Sequence, residues 1–155
     1  MSSYIEFYLR GKDDNFYPLG SYCRNNAVYE MFDAPGCVKW GSIVPLTSQK
    51  LGSVRRDTRD HIAGWKKIIR DLKKGLDVID MFDVPFEEKV EIVESRMAEI
   101  ESHKEKVKEL KRVISFCDFL EDILEDAEYS DAGIDKDNYI YAGIEVGLST
   151  VEDIY

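Results

Sequence analysis

From Leu51 onward, apolar or tolerated residues recur in alternating steps of three and four: Leu51, Val54, Thr58, His61, Trp65, Ile68, Leu72, Gly75, Ile79 and Phe82. Such spacing lays one stripe along an α-helix and reads as a coiled-coil seam. Thr47 or Ser48 supplies an N-cap. Asp83-Val84-Pro85 interrupts the run, and proline suits the first turn of a new helix. The pattern resumes at Val90, Val93, Met97, Ile100, Val107, Leu110, Ile114, Cys117, Leu120 and Leu124. The spacing predicts helices over 48–82 and 85–128, which at ~1.5 Å per residue span roughly 50 and 65 Å. So short a connection makes them antiparallel neighbours, with residue i opposite about residue 167−i. Lys66 then lies near Glu101 and Lys73 near Glu94, which pairs opposite charges across the hairpin.

The flanking segments carry the other periodicity. In Tyr4–Arg10, Ile5, Phe7 and Leu9 alternate with Tyr4, Glu6, Tyr8 and Arg10, the pattern of a half-buried strand. A turn cluster at Gly11–Asn15 leads to a second strand over Phe16–Arg24, in which Pro18 demands an edge position. Asn25 or Asn26 caps a short helix through Phe32, ended at Asp33-Ala-Pro-Gly36. Val38–Pro45 reads as a loop or a further short strand. Beyond a polar loop at 130–138, Ile140, Ala142, Ile144 and Val146 face one way, and Tyr139, Tyr141 and Glu145 the other. Two strands alone are marginal, so this one is expected to join the N-terminal pair. The expected fold is α+β in a single domain, 1–155. A small antiparallel sheet head (1–46 and 129–155; two N-terminal strands plus one C-terminal strand) carries a long antiparallel two-helix coiled-coil hairpin (47–128).

At 155 residues with 44% apolar composition, the chain can bury a core without metal or disulfide staples. No apolar run approaches the ~20 residues of a membrane-spanning helix. The first ten residues lack the basic start of a secretory signal. Cys23, Cys37 and Cys117 are odd in number and widely spaced, as reduced thiols of a cytoplasmic protein would be.

The net charge of -10 is unevenly placed. Residues 1–112 hold 20 bases and 19 acids, a net of +1, whereas 113–155 hold one base and 12 acids, a net of −11. Asp118, Glu121, Asp122, Glu125 and Glu128 fall on one helical face, at a helix C-terminus where each acid costs ~0.3–1 kcal/mol. Solubility could be met elsewhere at lower cost. Two readings compete: a solvated face, or a landing site for a basic surface on another macromolecule, with Asp131 and Asp135 close by. A metal site at Asp131, Asp135 and Asp137 lacks the EF-hand spacing and its central glycine.

The first long helix is biased the other way. Arg55, Arg59, Lys66 and Arg70, with Lys73, share a broad face. Pairing with Glu87, Glu91, Glu94, Glu101, Glu105 and Glu109 across the hairpin accounts for them most simply. A stripe for nucleic-acid phosphates is the alternative. Tyr4, Tyr8, Tyr139 and Tyr141 are expected to crowd one sheet face, packed under a helix or loop or presented to a partner.

His61 sits on the seam, and His103, between Lys104 and Lys106, is expected in solvent. No Cys-x-x-Cys, phosphate loop, dinucleotide fingerprint or His-Glu-x-x-His occurs. The sequence therefore points away from catalysis, metal and cofactor. It points to protein binding through the acidic C-terminal face, in the manner of a nucleic-acid mimic or a small inhibitor from a phage or mobile element. The alternatives are a structural module or homodimer joined through the hairpin, and direct nucleic-acid binding through the basic stripe.

Overall fold

The computed structural model describes residues 3–146. Four strands and three helices follow in the order β1 (Tyr4–Arg10), β2 (Phe16–Cys23), α1 (Ala27–Asp33), β3 (Val44–Pro45), α2 (Ser48–Asp77), α3 (Phe86–Ser130) and β4 (Ile140–Ile144). The fold is α+β with a helical hairpin. The sheet is antiparallel in the order β2-β1-β4-β3, so β4 inserts between the N-terminal strand and the short β3. Pro18 lies in β2, an edge strand that does not need its missing N–H. Residues 147–155, assigned with the head in the sequence reading, lie outside the described residues, as do residues 1–2.

Caps fall where the residue types demand them. The Asn26 side chain accepts from the Val28 N–H at 2.9 Å to start α1, and Thr47 Oγ1 accepts from the Lys50 N–H to start α2. The Ser48 N–H donates to Asp137 Oδ1 at 2.9 Å, which ties the C-terminal loop to the start of α2.

One face of the sheet supplies Ile5, Phe7, Ile140, Ala142 and Ile144 to the core. Phe32 of α1, Val54 of α2, and Val113, Phe116, Leu120 and Leu124 of α3 close over it. Phe7 is the centre of an edge-to-face cluster, with its ring 4.7 Å from Phe116 and 5.0 Å from Phe32. The second half of α3 is thus a core element of the head, while its first half pairs with α2 around Ile69, Ile100 and Val107.

The seam of α2 differs from the strict alternation. The residues turned toward partners are Leu51, Val54, Thr58, Ile62, Trp65, Ile69, Leu72, Leu76 and Ile79, because two steps of four follow each other at Thr58. His61, Ile68, Gly75 and Phe82 are exposed. The shift exchanges His61 for Ile62 and Gly75 for Leu76, which buries more apolar surface. Val90 and Met97 of α3 are exposed as well, and Val113 is fully buried while Ile114 is only partly so.

Helix α2 ends at Asp77, five residues short of the expected 82, in a 3-10 turn at Ile79–Met81. The turn buries Ile79 and leaves Met81 and Phe82 outside. Trp65 stacks on His103 at 4.8 Å, within one residue of the expected pairing, so His103 is half-buried against a ring and not free in solvent.

The expected ion pairs between Lys66 or Lys73 and α3 glutamates do not form among the described residues. Glu101 pairs locally with Lys104 instead, as Glu99 does with Arg96, and Glu94 has no ion pair among the described residues. The tyrosine expectation holds in part. Tyr8 lies opposite Tyr141 across β1 and β4, and Tyr141 meets Phe16 edge-to-face at 5.1 Å. Tyr4 is exposed, and Tyr139 precedes β4 and packs against the main core. Val146 joins Tyr8 because Glu145 adopts φ 54°, which breaks the alternation and turns Val146 to the opposite face.

Candidate functional site: the acidic end of the long helix

The last turns of α3 bury Leu120 and Leu124 against the sheet and must direct the intervening positions outward. The acidic face is real, but part of it is already matched. Arg55 reaches across from α2: its Nη1 donates to Glu121 Oε2 at 2.8 Å and its Nη2 to Asp118 Oδ1 at 2.5 Å. The Arg55 side chain is only 17% exposed, and its Nε is buried without an acceptor. Glu128 is held by Lys136 Nζ at 2.6 Å, which keeps that ammonium above its ordinary range. The expectation of an unneutralised row is therefore corrected at Asp118, Glu121 and Glu128. Arg55, expected in a binding stripe, is an internal clamp.

Six carboxylates around this end have no ion pair among the described residues: Asp122, Glu125, Asp126, Asp131, Asp135 and Asp137, although Lys136, bound to Glu128, also feels the charge of Glu125. Asp131 and Asp135 also shape the loop. Asp131 accepts from the Gly133 N–H, and Asp135 accepts from the Asp137 N–H and from Asn138 Nδ2. Tyr129, one turn beyond Glu125 and Asp126, is 96% exposed. Its place within an acidic helical face is visible in the sequence alone.

Beside this face opens a cleft of ≈ 680 Å³ between the end of α3, the following loop and the β1–β2 turn. Ile123, Ala127, Ile134 and Tyr139 give it apolar walls, and Asp126, Asp131 and Asp135 line it with carboxylates. Arg10 at the end of β1 and Lys12 of the β1–β2 turn stand at the other side, Arg10 engaged with Asp14 at 3.0 Å and with the Tyr141 hydroxyl. On the side of α3 and the following loop, an apolar wall edged by three carboxylates suits a cation on an aliphatic stem, with the two bases across the cleft.

The remaining sequence candidates are dispersed. Tyr8 is buried and donates to Glu6 Oε2 at 2.6 Å; burial and that carboxylate raise its pKa well above the usual phenol range. Arg59, Lys66 and Arg70 are exposed on α2. Lys66 is joined by Lys104, Lys108 and Lys111 of α3 around a groove floored by Ile69 and Val107, a basic cluster that the sequence reading had confined to α2. Burial pushes the Cys117 thiol up to about 12 and raises Cys37, which leaves both poor nucleophiles. No group of His, Cys, Asp and Glu among the described residues is arranged to hold a metal ion, and no described helix is long and apolar enough to cross a membrane.

No family model matches this chain, and neither the curated proteins nor the solved structures contain a match to it.

Proposed function

We propose that this is a non-catalytic cytoplasmic protein that binds a basic surface on another protein through the acidic end of α3. The observation that carries the reading is what remains after internal pairing: six carboxylates without an ion pair among the described residues, three of them lining one side of an apolar cleft. A lysine or arginine entering the cleft would lay its stem on Ile123 and Ile134 and meet Asp126, Asp131 and Asp135. Tyr129 would add a large amphipathic contact at the rim, the residue type that dominates many interfaces. The rest of the face would speed encounter by long-range attraction. A groove evolved for nucleic-acid phosphates is one basic surface of this kind, and an inhibitor or nucleic-acid mimic would use it.

The test is charge reversal away from the internal pairs. Asp122→Lys with Glu125→Lys, used as bait beside the wild type in extracts of the native host, is expected to lose salt-eluted partners that the wild type retains. The same proteins eluting at the same salt from both baits would remove this face from the account.

A further inference from the structure

The tip of the hairpin is built unlike the rest of it. Met81 is 82% exposed, Phe86 75% and Met97 56%, with Phe82 and Val90 also open to solvent. Phe86, Val90, Val93 and Met97 follow at steps of four, three and four, so they form one stripe on α3, exposed at Phe86, Val90 and Met97 and half-buried at Val93. Carboxylates surround it: residues 77–94 hold seven acids and one base, a net of −6. None of those seven acids has an ion pair among the described residues.

Farther along α3 at the same helical spacing come Lys104, Lys108 and Lys111, which with Lys66 wall the groove over Ile69 and Val107. One flank of the hairpin therefore runs from acidic and apolar at the tip to basic with an apolar floor in the middle.

We propose that this flank joins two copies of the chain in a two-fold symmetric, antiparallel four-helix arrangement centred on Met97. Each residue i of α3 then opposes about residue 194−i of the other copy, in the manner of antiparallel coiled-coil helices. Met97 meets its own counterpart. Val90 lies opposite Lys104 and Phe86 opposite Lys108, so the lysine stems cover apolar surface while their ammonium groups reach Glu87, Glu91 and Glu94, Lys104 giving up its exposed 3.5 Å pair with Glu101. The contact spans roughly 33 Å of helix from Phe86 to Lys108. Tip-to-tip association would bring two net −6 surfaces together, and an anionic membrane would repel the tip in the same way. The proposal does not depend on the acidic end of α3 being a binding site.

Sedimentation equilibrium of the full chain tests it, together with two cysteine variants oxidised by copper phenanthroline in air. A dimer is expected that weakens as salt rises. Met97→Cys is expected to give a covalent dimer, whereas Phe86→Cys, whose two copies would lie roughly 33 Å apart, and the wild type are not. Lys104→Glu with Lys108→Glu, both exposed positions, should raise the dimer dissociation constant ~10-fold or more. A monomer at all concentrations overturns the proposal. So does cross-linking of Phe86→Cys as readily as Met97→Cys. A monomer that binds single-stranded DNA through Lys104 and Lys108 would assign the basic groove to a polyanion instead.

Discussion

Arg55 offers the sharpest test of how the acidic face is balanced. Replacing it with methionine keeps an aliphatic stem in place and deletes the guanidinium. Two ion pairs are lost, to Asp118 and Glu121, whose side chains are 58% and 38% exposed. Solvent screening limits such pairs to ~0.2–1 kcal/mol each. Against this, the change removes a buried Nε proton without an acceptor, a feature that costs on the order of 1 kcal/mol. The two effects nearly offset each other, so the expected net loss is at most about 1 kcal/mol, far below the ~3–5 kcal/mol of breaking a fully buried pair. Urea unfolding would show an unchanged slope and a midpoint lowered slightly at most, and the melting temperature would fall by no more than ~4 °C. A double-mutant cycle with Glu121→Gln should return a coupling of ~0.5 kcal/mol. The same substitution frees two carboxylates on the proposed binding face, so affinity for a basic partner should rise about threefold or more while stability falls little. Zero coupling, or a stability loss above ~3 kcal/mol, would refute this account of the clamp.

Other consequences follow from the core and the sheet. Cys117 has its pKa raised from its ordinary 9.0 to about 12 by burial, so the folded state holds that proton more tightly than the unfolded chain. Its contribution is full below pH 9 and declines by up to about 1.4 kcal/mol per pH unit as pH rises from 9 toward 12; urea midpoints should fall over that window, and less so in Cys117→Ala. Gly143→Ala should destabilise by ~2 kcal/mol or more, measured by thermal melting, because a Cβ there runs into the Ser42 carbonyl and the Val146 side chain. With the lysine groove occupied by a second copy and acidic ends on both sides of it, filter binding should retain no DNA or RNA at ~0.15 M salt.

The helical hairpin was legible because its period persists over many turns and a single breaker interrupts it. The phase of the seam was not. His61 and Ile62 both continue the run from Thr58, and only packing against α3 selects the isoleucine. The clamp was hidden for a related reason. Extrapolating the tip register places Arg55 opposite residue 112, yet it meets Asp118 and Glu121, where α3 has turned its apolar face to the sheet. In the strands, Glu145 at positive φ reversed the side of Val146, which no alternation rule foresees. The tip escaped notice because bases of α2 cancel its acids when charge is averaged over residues 1–112. Charge read in windows of about five helical turns would have shown it.

Titration of ¹⁵N-labelled protein with N-acetyl-arginine amide tests the central claim most directly. Saturable shifts are expected at the amides of residues 122–139, with millimolar affinity, and they should vanish when Asp126 and Asp135 are changed to asparagine. Shifts of equal size at the hairpin tip, or none around the cleft, would contradict a cation site at the end of α3.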